Sequence, residues 1–401
     1  MYIKSHTKKT FEDYTSIFAI FIIFASLTYQ IALCFTNTHV FGVSKGAVVL
    51  VEFVLIISGF CLFAKKMDEG FLLFLVFLLI NALFLSLFKG QFNPKDVRDF
   101  LIPVLMLWLG FNYNKKVEVD RIVKYCAYLV IGVGLFEAAF STQYQSLFNI
   151  AHYHRAIGLI AENYNDYRED GLSLNGLRYG GRNFLSFLGN HRISSVFLET
   201  VSMGNFGVVI ACWGLAKDKK EVKDICFILG LGLVIALLAD SRFGLTMIIG
   251  LAFLRFVLSI NVLRISSYFF PLLIITITLC IYEFSYVTFT DDFKGRLGFT
   301  GYNLAHFSII EYLGLSGIPK YYGDSGYSNG IINYGLIFCI LAWTALCRLK
   351  PTSPQGIRYA SLITIFIAAI LAISGSSIFA MKVTVLMWFL IGVTLQKESA
   401  Q

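Results

Sequence analysis

Charged residues are scarce in this sequence. Only 14% of its 401 residues are Asp, Glu, Lys or Arg, against roughly 25% in a typical soluble domain. Hydrophobic residues make up 57% of the chain instead. Apolar surface that faces lipid needs no polar cover, so this composition excludes an ordinary soluble protein and indicates a membrane protein.

Several catalytic motifs are also missing. The sequence has no Walker A or HExxH motif and no DxD pair, which argues against a P-loop ATPase, a zinc protease of that type and a site for a metal-bound nucleotide sugar. The eight cysteines lie in or beside apolar segments and form no CxxC pair. We therefore expect no structural disulfide, metal or other cofactor.

The hydrophobic residues occur in blocks of about 17 to 25, the length that crosses a bilayer as a helix. The pattern predicts an all-α polytopic protein, a single transmembrane domain over residues 1–401 with about twelve spans. The predicted spans are 14–35, 46–64, 70–88, 97–113, 120–140, 195–216, 223–240, 243–260, 266–286, 329–347, 357–374 and 379–396.

The distribution of basic residues predicts the orientation. With the amino terminus in the cytoplasm, the cytoplasmic segments and span ends hold 19 of the 33 Lys and Arg, and the short outward loops hold six. Most of the net charge of +8 therefore flanks spans, so we expect no nucleic-acid partner. Both termini are predicted to be cytoplasmic.

Two predicted outward connections are long, 141–194 and 287–328. Loops of this length are uncommon unless they are functional or disordered, and both are rich in Tyr, Asn, Gly and Arg. We expect them to be ordered and to carry the chemistry. The second contains an amphipathic stretch, Leu304 to Leu313, that predicts a short interfacial helix. No internal repeat is visible, which weakens the case for a transporter built from repeated halves.

Two arginines and one acid stand out near the first long loop. Arg192 lies where the chain re-enters the membrane, and Glu199 follows about two helical turns later. Arg242 lies in a minimal outward turn. A guanidinium binds phosphate oxygens in a planar fork, so Arg192 and Arg242 could together hold a diphosphate. Alternatively Arg192 contacts lipid phosphate, Glu199 pairs with a neighbouring span, and Arg242 pairs with Asp240.

The second long loop supplies candidates for a base. Asp324 could be a general base at the membrane surface or a helix cap, and His306 is a rival base. Arg182 and Arg296 are weaker candidates for glycan contacts, and more often such residues are solvated charges. Tyr327 is a further weak candidate in the same class.

These features resemble the O-antigen polymerase and ligase superfamily of bacterial envelopes. The resemblance rests on a long loop ending R-x4-F-x-E, an SR turn between two spans, and a second loop closing with D-S-G-Y-x6-Y-G. It implies a GT-C-like membrane glycosyltransferase whose periplasmic face binds undecaprenyl-diphosphate-linked glycans. It also implies that Arg192 and Arg242 bind the diphosphate. Asp324 stands where the ligase branch typically carries a histidine, which favours the polymerase branch.

The expected function is therefore polymerisation of lipid-linked repeat units into O-antigen or capsular polysaccharide, at the periplasmic face of the bacterial inner membrane. Membrane lipid, a chain-length regulator and a flippase are the expected partners besides the lipid-linked oligosaccharides. Two alternatives stay open: a ligase that transfers glycan to lipid A-core, and a transporter or flippase of lipid-linked sugars. A transporter would place its ionisable residues near the midplane, whereas the candidates here cluster at one face.

Overall fold

The computed structural model describes residues 2–63, 69–92, 94–113, 118–159, 176, 182–285, 292–317, 322–374 and 377–396, and of these it describes 2–14, 62–63 and 96 by their backbone alone. Over these residues the chain is helical and contains no β-strand, as predicted. The helices are α1 (Tyr2–His39), α2 (Lys45–Phe63), α3 (Glu69–Lys89), α4 (Pro94–Phe111), α5 (Val119–Ala139), α6 (Ser141–Leu147), α7 (Ile150–Ala156), α8 (Thr200–Ala216), α9 (Val222–Leu238), α10 (Arg242–Val257), α11 (Ile260–Phe284), α12 (Phe293–His306), α13 (Ile309–Tyr312), α14 (Gly326–Tyr334), α15 (Leu336–Arg348), α16 (Pro354–Ile370) and α17 (Met381–Thr394).

Among the described residues, four helices are long and apolar enough to cross a membrane: Thr15–His39 within α1, α3, α5 and α11. A fifth arises if α14 and α15, which meet at an angle of 111°, count as one broken span. The chain is thus consistent with a helical membrane protein. The apolar helices α8, α16 and α17 have only 17, 17 and 14 residues, so the count of twelve spans stays a prediction.

The second long loop contains more helix than the one short helix predicted for it. Most of its described residues are helical, in α12, α13 and the start of α14. The stretch from Leu304 to Leu313 is also not one helix, which corrects that prediction. The first residues of this stretch form the last turn of α12. Helix α13 then begins after Ser308, which caps it through a capping box with Glu311. Each side chain of that pair hydrogen-bonds the other's backbone N–H, which fixes the break.

The chain divides into two compact units. Unit 1 comprises residues 1–65, 105–252 and 381–393, and unit 2 comprises 66–104, 253–380 and 394–401. In unit 1, α8 and α9 approach closely through facing glycines. A methyl group added at Gly207 would lie 2.8 Å from the carbonyl oxygen of Gly232, and one at Gly232 would lie 2.6 Å from that of Gly207. The two backbones therefore pack in direct contact, as small residues allow in membrane helices.

Unit 2 packs around aromatic rings and one further close approach. The Phe100 ring meets Tyr334 and Phe338 edge-on, with centroids 4.5 and 5.0 Å away, geometries that aromatic pairs prefer. Helix α12 lies against α11 at Gly301, where a methyl group would collide with the carbonyl of Thr278. This contact fixes α12 on the side of a candidate membrane helix.

Candidate functional site

One ion pair in unit 1 involves a buried lysine. The Lys382 ammonium lies 2.9 Å from Oε2 of Glu199, and the lysine side chain is only 4% exposed. Glu199 is the residue that precedes α8, directly after a tight turn in which Leu198 has φ 58°. Lys382 is the second residue of α17. The pair therefore joins the first turns of two apolar helices.

The hydrogen bonds of Lys382 are complete. Besides Glu199, Nζ donates to Oε1 of Gln30 at 3.0 Å and to the carbonyl of Phe197 at 2.9 Å. An ammonium has three donors, so these three acceptors use all of them. Lys382 consequently holds the carboxylate in place and has no donor left for an anionic ligand.

Glu199 keeps an open acceptor. Its Oε2 accepts from Lys382 and also from Oγ of Ser202, at 2.7 Å. Within the described ranges, Oε1 has no hydrogen-bond partner, and 35% of the side chain is exposed. A carboxylate oxygen can accept two hydrogen bonds. A ligand that reaches this position would find an acceptor already oriented.

Tyr153 and His154 lie in α7, in the first long loop. Helix α7 is held on α1 by Nδ2 of Asn37, which lies 2.8 Å from Nδ1 of His152. Both Tyr153 and His154 are buried, and in the described part of the chain neither the Tyr153 hydroxyl nor Nε2 of His154 has a hydrogen-bond partner. Unpaired buried polar atoms are uncommon and costly.

The charged pair acts on these two side chains. Burial lowers the pKa of His154 from 6.5 to about 4, Glu199 opposes the shift and Lys382 adds to it. Burial also raises the pKa of Tyr153, with a smaller contribution from the charge of Glu199. At neutral pH the imidazole and the phenol are therefore both uncharged. We call Gln30, Tyr153, His154, Glu199 and Lys382 the Glu199 cluster.

Two more buried polar atoms lie on the same helices as Gln30 and Ser202. Ser26 lies one turn before Gln30 on α1, and Asn205 lies one turn after Ser202 on α8. Oγ of Ser26 and Nδ2 of Asn205 are buried and have no hydrogen-bond partner among the described residues.

Arg192 and Arg182, two of the predicted site residues, bind backbone carbonyls. The buried Arg192 donates from Nε to the carbonyl of Ala239 at 3.1 Å, which caps the end of α9. Such carbonyls have no partner within their helix, and cationic groups stabilise them. Arg182 donates to the carbonyls of Phe184, His191, Leu237 and Leu238.

Arg242 differs from Arg192, because it is exposed and begins α10. The guanidinium of Arg192 contacts Ala239, which lies three positions before Arg242. Both arginines therefore lie at the same turn. Asp240 in this turn accepts from the backbone N–H groups of Asn183 and Phe184, which fastens the end of the first long loop. That the two arginines bind a diphosphate stays a prediction.

A second buried carboxylate, Glu137 of α5, was not among the predicted site residues. It accepts from the backbone N–H groups of Ser194 and Ser195, from Oγ of Ser194 and from Nε2 of His191. Its side chain is fully buried. The available signal was an acid inside a predicted span, where such a residue is costly. Its contacts indicate that it fixes the segment leading to Glu199.

In unit 2 the structure brings Arg296 and Asp324 together. Nη1 of Arg296 lies 3.1 Å from Oδ2 of Asp324, whose side chain is 60% exposed, and also donates to the carbonyl of Ile373. Ser325, and not Asp324, caps α14 by accepting from the N–H of Ser328. This corrects the alternative that Asp324 is the helix cap, because the cap position belongs to the next residue.

The other two candidates in unit 2 are placed apart from that ion pair. Tyr327 is half-buried and donates its hydroxyl to the carbonyl of Ala368 in α16. His306 is exposed, and its Nδ1 contacts the carbonyl of Tyr302 while its ring lies 4.3 Å from the Tyr302 ring. Among the described residues no contact joins His306 to Asp324, and that either residue is the base stays a prediction.

Comparison with known families, curated proteins and solved structures found no match to this chain. Among the described residues, no group of three or more His, Cys, Asp or Glu side chains could hold a metal ion. The Glu199 cluster offers the chemistry of its own side chains: one oriented carboxylate oxygen, one neutral imidazole and one phenol. Sequence reasoning identified Glu199 alone of the five, and assigned Lys382 only to orientation.

Proposed function

We propose that this chain is a membrane glycosyltransferase of the bacterial inner membrane that polymerises lipid-linked oligosaccharide repeat units into O-antigen or capsular polysaccharide. The donor is the growing glycan on undecaprenyl diphosphate. The acceptor is a hydroxyl of the terminal sugar of a new lipid-linked repeat unit. In this proposal the protein has about twelve spans, both termini are cytoplasmic and the site faces the periplasm.

The position of the Glu199 cluster is the observation that carries the proposal. Gln30 lies in the last third of α1, whereas Glu199 and Lys382 lie at the starts of α8 and α17. With the amino terminus in the cytoplasm, these three positions all lie toward the outward face, and α7 comes from the first outward loop. A set of polar side chains with no net charge at one face supports an enzyme acting on a lipid-linked glycan at the membrane surface.

The reaction is a glycosyl transfer with a diphosphate leaving group. The acceptor oxygen bonds to the anomeric carbon, the bond from that carbon to the diphosphate oxygen breaks, and the electron pair leaves with undecaprenyl diphosphate. Arg242 is exposed, so it is the arginine better placed to stabilise the departing charge. Arg192, which already binds Ala239, would position this turn and add charge.

Three groups could take the acceptor proton: Glu199, Asp324 and His306. Oε1 of Glu199 is open, and Lys382 and Ser202 hold the carboxylate in place through Oε2. Asp324 is more exposed but paired with Arg296, and His306 rests on a tyrosine ring. Preorganisation favours Glu199.

A ligase that moves the glycan onto lipid A-core would use the same donor chemistry, and a flippase would form no bond. Deleting the gene and separating the surface polysaccharide on a gel tests the proposal. Loss of long chains with single repeat units retained is the expected result. Bare core indicates a ligase, intracellular accumulation of lipid-linked units indicates a flippase, and an unchanged ladder contradicts all three.

A further inference from the structure

Unpaired polar atoms in unit 1 indicate a ligand site. We propose that Tyr153, His154 and Glu199 bind an uncharged, hydroxyl-bearing ring, the acceptor sugar, while Lys382 positions the Glu199 carboxylate. The inference rests on the proposed function and assigns one substrate to one place in the fold. Lys382 is a positioning residue in this account, since it acts through Glu199.

The two charges of the Glu199 cluster cancel, which favours a ligand without charge. The single positive charge of Lys382 and the single negative charge of Glu199 form an ion pair at 2.9 Å, and Tyr153 and His154 are uncharged at neutral pH. A diphosphate would require unpaired cations, and the three donors of Lys382 are already used. A cation would require an acid in excess of the lysine. A sugar hydroxyl requires neither.

The open hydrogen-bonding atoms match a hydroxyl-rich ring. Oε1 of Glu199 offers an acceptor, the Tyr153 hydroxyl can donate or accept, and Nε2 of His154 does one or the other according to its tautomer. Tyr153 and His154 are at least nine-tenths buried and are unpartnered in the described part of the chain. Burying two polar atoms without partners costs free energy, and a bound sugar would recover it. A site that binds polar substrate groups also discriminates strongly against analogues that lack them.

The carboxylate is also the group that would take the proton. The acceptor hydroxyl donates to Oε1 of Glu199 and, as its oxygen bonds to the anomeric carbon, the proton passes to that carboxylate. The glycosidic bond to the diphosphate breaks in the same step, and its electrons leave with the diphosphate. The proton on Glu199 returns to solvent, which reaches its partly exposed side chain. Atoms and charges balance without any cofactor.

Two tyrosines of the first long loop provide a matched test. Tyr153→Phe removes only a hydroxyl that has no partner, so the folded protein should keep its thermal stability. Tyr144→Phe removes a hydroxyl that donates to the carbonyl of Ser195 at 2.8 Å, so it should lower stability. Each variant is expressed in the deletion strain, and long-chain polysaccharide is measured per amount of folded protein. We expect at least a tenfold loss for Tyr153→Phe and less than a twofold change for Tyr144→Phe.

A second variant tests the proposed base, Glu199, independently of Tyr153. Glu199→Gln combined with Lys382→Gln removes both charges together and should remain folded, but it has no base and should make no long chains. Wild-type elongation by Tyr153→Phe or by the folded double variant overturns the inference. If the wild-type gene itself restores no long chains to the deletion strain, the proposed function fails instead, so the two failures are distinguishable.

Discussion

The Lys382 ammonium lies 2.9 Å from a carboxylate oxygen of Glu199 at the start of α8. Both residues lie at the amino-terminal end of a helix, where the helix dipole is positive. Glu199 is favoured there, whereas Lys382 at the start of α17 is not. The ion pair and the two neutral acceptors around Lys382 offset this cost, so the lysine and the glutamate depend on each other.

This dependence predicts a charge-pair rescue. Lys382→Gln leaves Glu199 without its cation and should lower the free energy of unfolding by about 1.5 to 3 kcal/mol, the usual contribution of hydrogen bonds to charged groups. Adding Glu199→Gln should restore much of the loss, because neutralising both members removes the unpaired charge. Thermal unfolding of the purified variants in detergent measures the difference. A double variant less stable than the single variant would contradict this account of the pair.

Close packing of α8 on α9 predicts opposite outcomes for two glycines of α9. Gly232→Ala places a methyl group 2.6 Å from the carbonyl oxygen of Gly207, so the helices must separate, and we expect a loss of about 1 to 3 kcal/mol. Gly230→Ala meets nothing within 4 Å, and alanine favours the helix by about 0.5 to 1 kcal/mol. Unfolding temperatures of the two variants should therefore move in opposite directions. Equal changes would argue against the contact.

Helical spans were predictable where the apolar pattern is uniform. Residues 70–88 and 120–140 were predicted as spans, and the structure has helices Glu69–Lys89 and Val119–Ala139. Helix α12 was not predicted, because three glycines close together, at 295, 298 and 301, are more typical of a loop than of a helix. At Gly301 the absence of a side chain is what lets α12 approach α11, and a single sequence does not show that contact.

The candidate site was predictable only in part. Glu199 was identified because an acid is costly within an apolar segment. In the sequence Lys382 cannot be told from a basic residue that orients a span. Its partner, Glu199, is far away in the chain. Tyr153 and His154 gave no signal, since their importance lies in missing hydrogen bonds that only the fold reveals.

The two arginines of the proposed diphosphate site should respond differently to alanine. Arg192→Ala leaves the carbonyl of Ala239 without its buried donor and should cost about 1 to 3 kcal/mol of stability. Arg242→Ala changes an exposed residue and should alter stability by about 0.5 kcal/mol or less, yet abolish long chains. Arg242→Lys should restore little, because a point charge cannot replace a bidentate fork. Normal chain length in a folded Arg242→Ala variant would remove Arg242 from the mechanism.

The buried imidazole predicts a pH dependence of stability. The pKa of His154 is about 4 in the folded protein and 6.5 in the absence of burial, so between these values the unfolded chain binds the proton more tightly. Stability should therefore fall as the pH drops from about 6.5 toward about 4, by at most about 1.4 kcal/mol per pH unit. The charges of Glu199 and Lys382 are part of this pKa shift. His154→Gln should flatten the dependence in thermal unfolding measured across this range, and an unchanged slope would contradict the assignment.

Reconstitution tests the central claim most directly. The purified protein is placed in liposomes with its undecaprenyl-diphosphate-linked repeat unit, with a chelator present and no nucleotide sugar added, and the products are separated by size. The account predicts a ladder of lengthening glycans with release of undecaprenyl diphosphate, and no ladder from the folded Glu199→Gln/Lys382→Gln variant. Intact repeat units that stay single, or that only move across the bilayer without forming a bond, would contradict it.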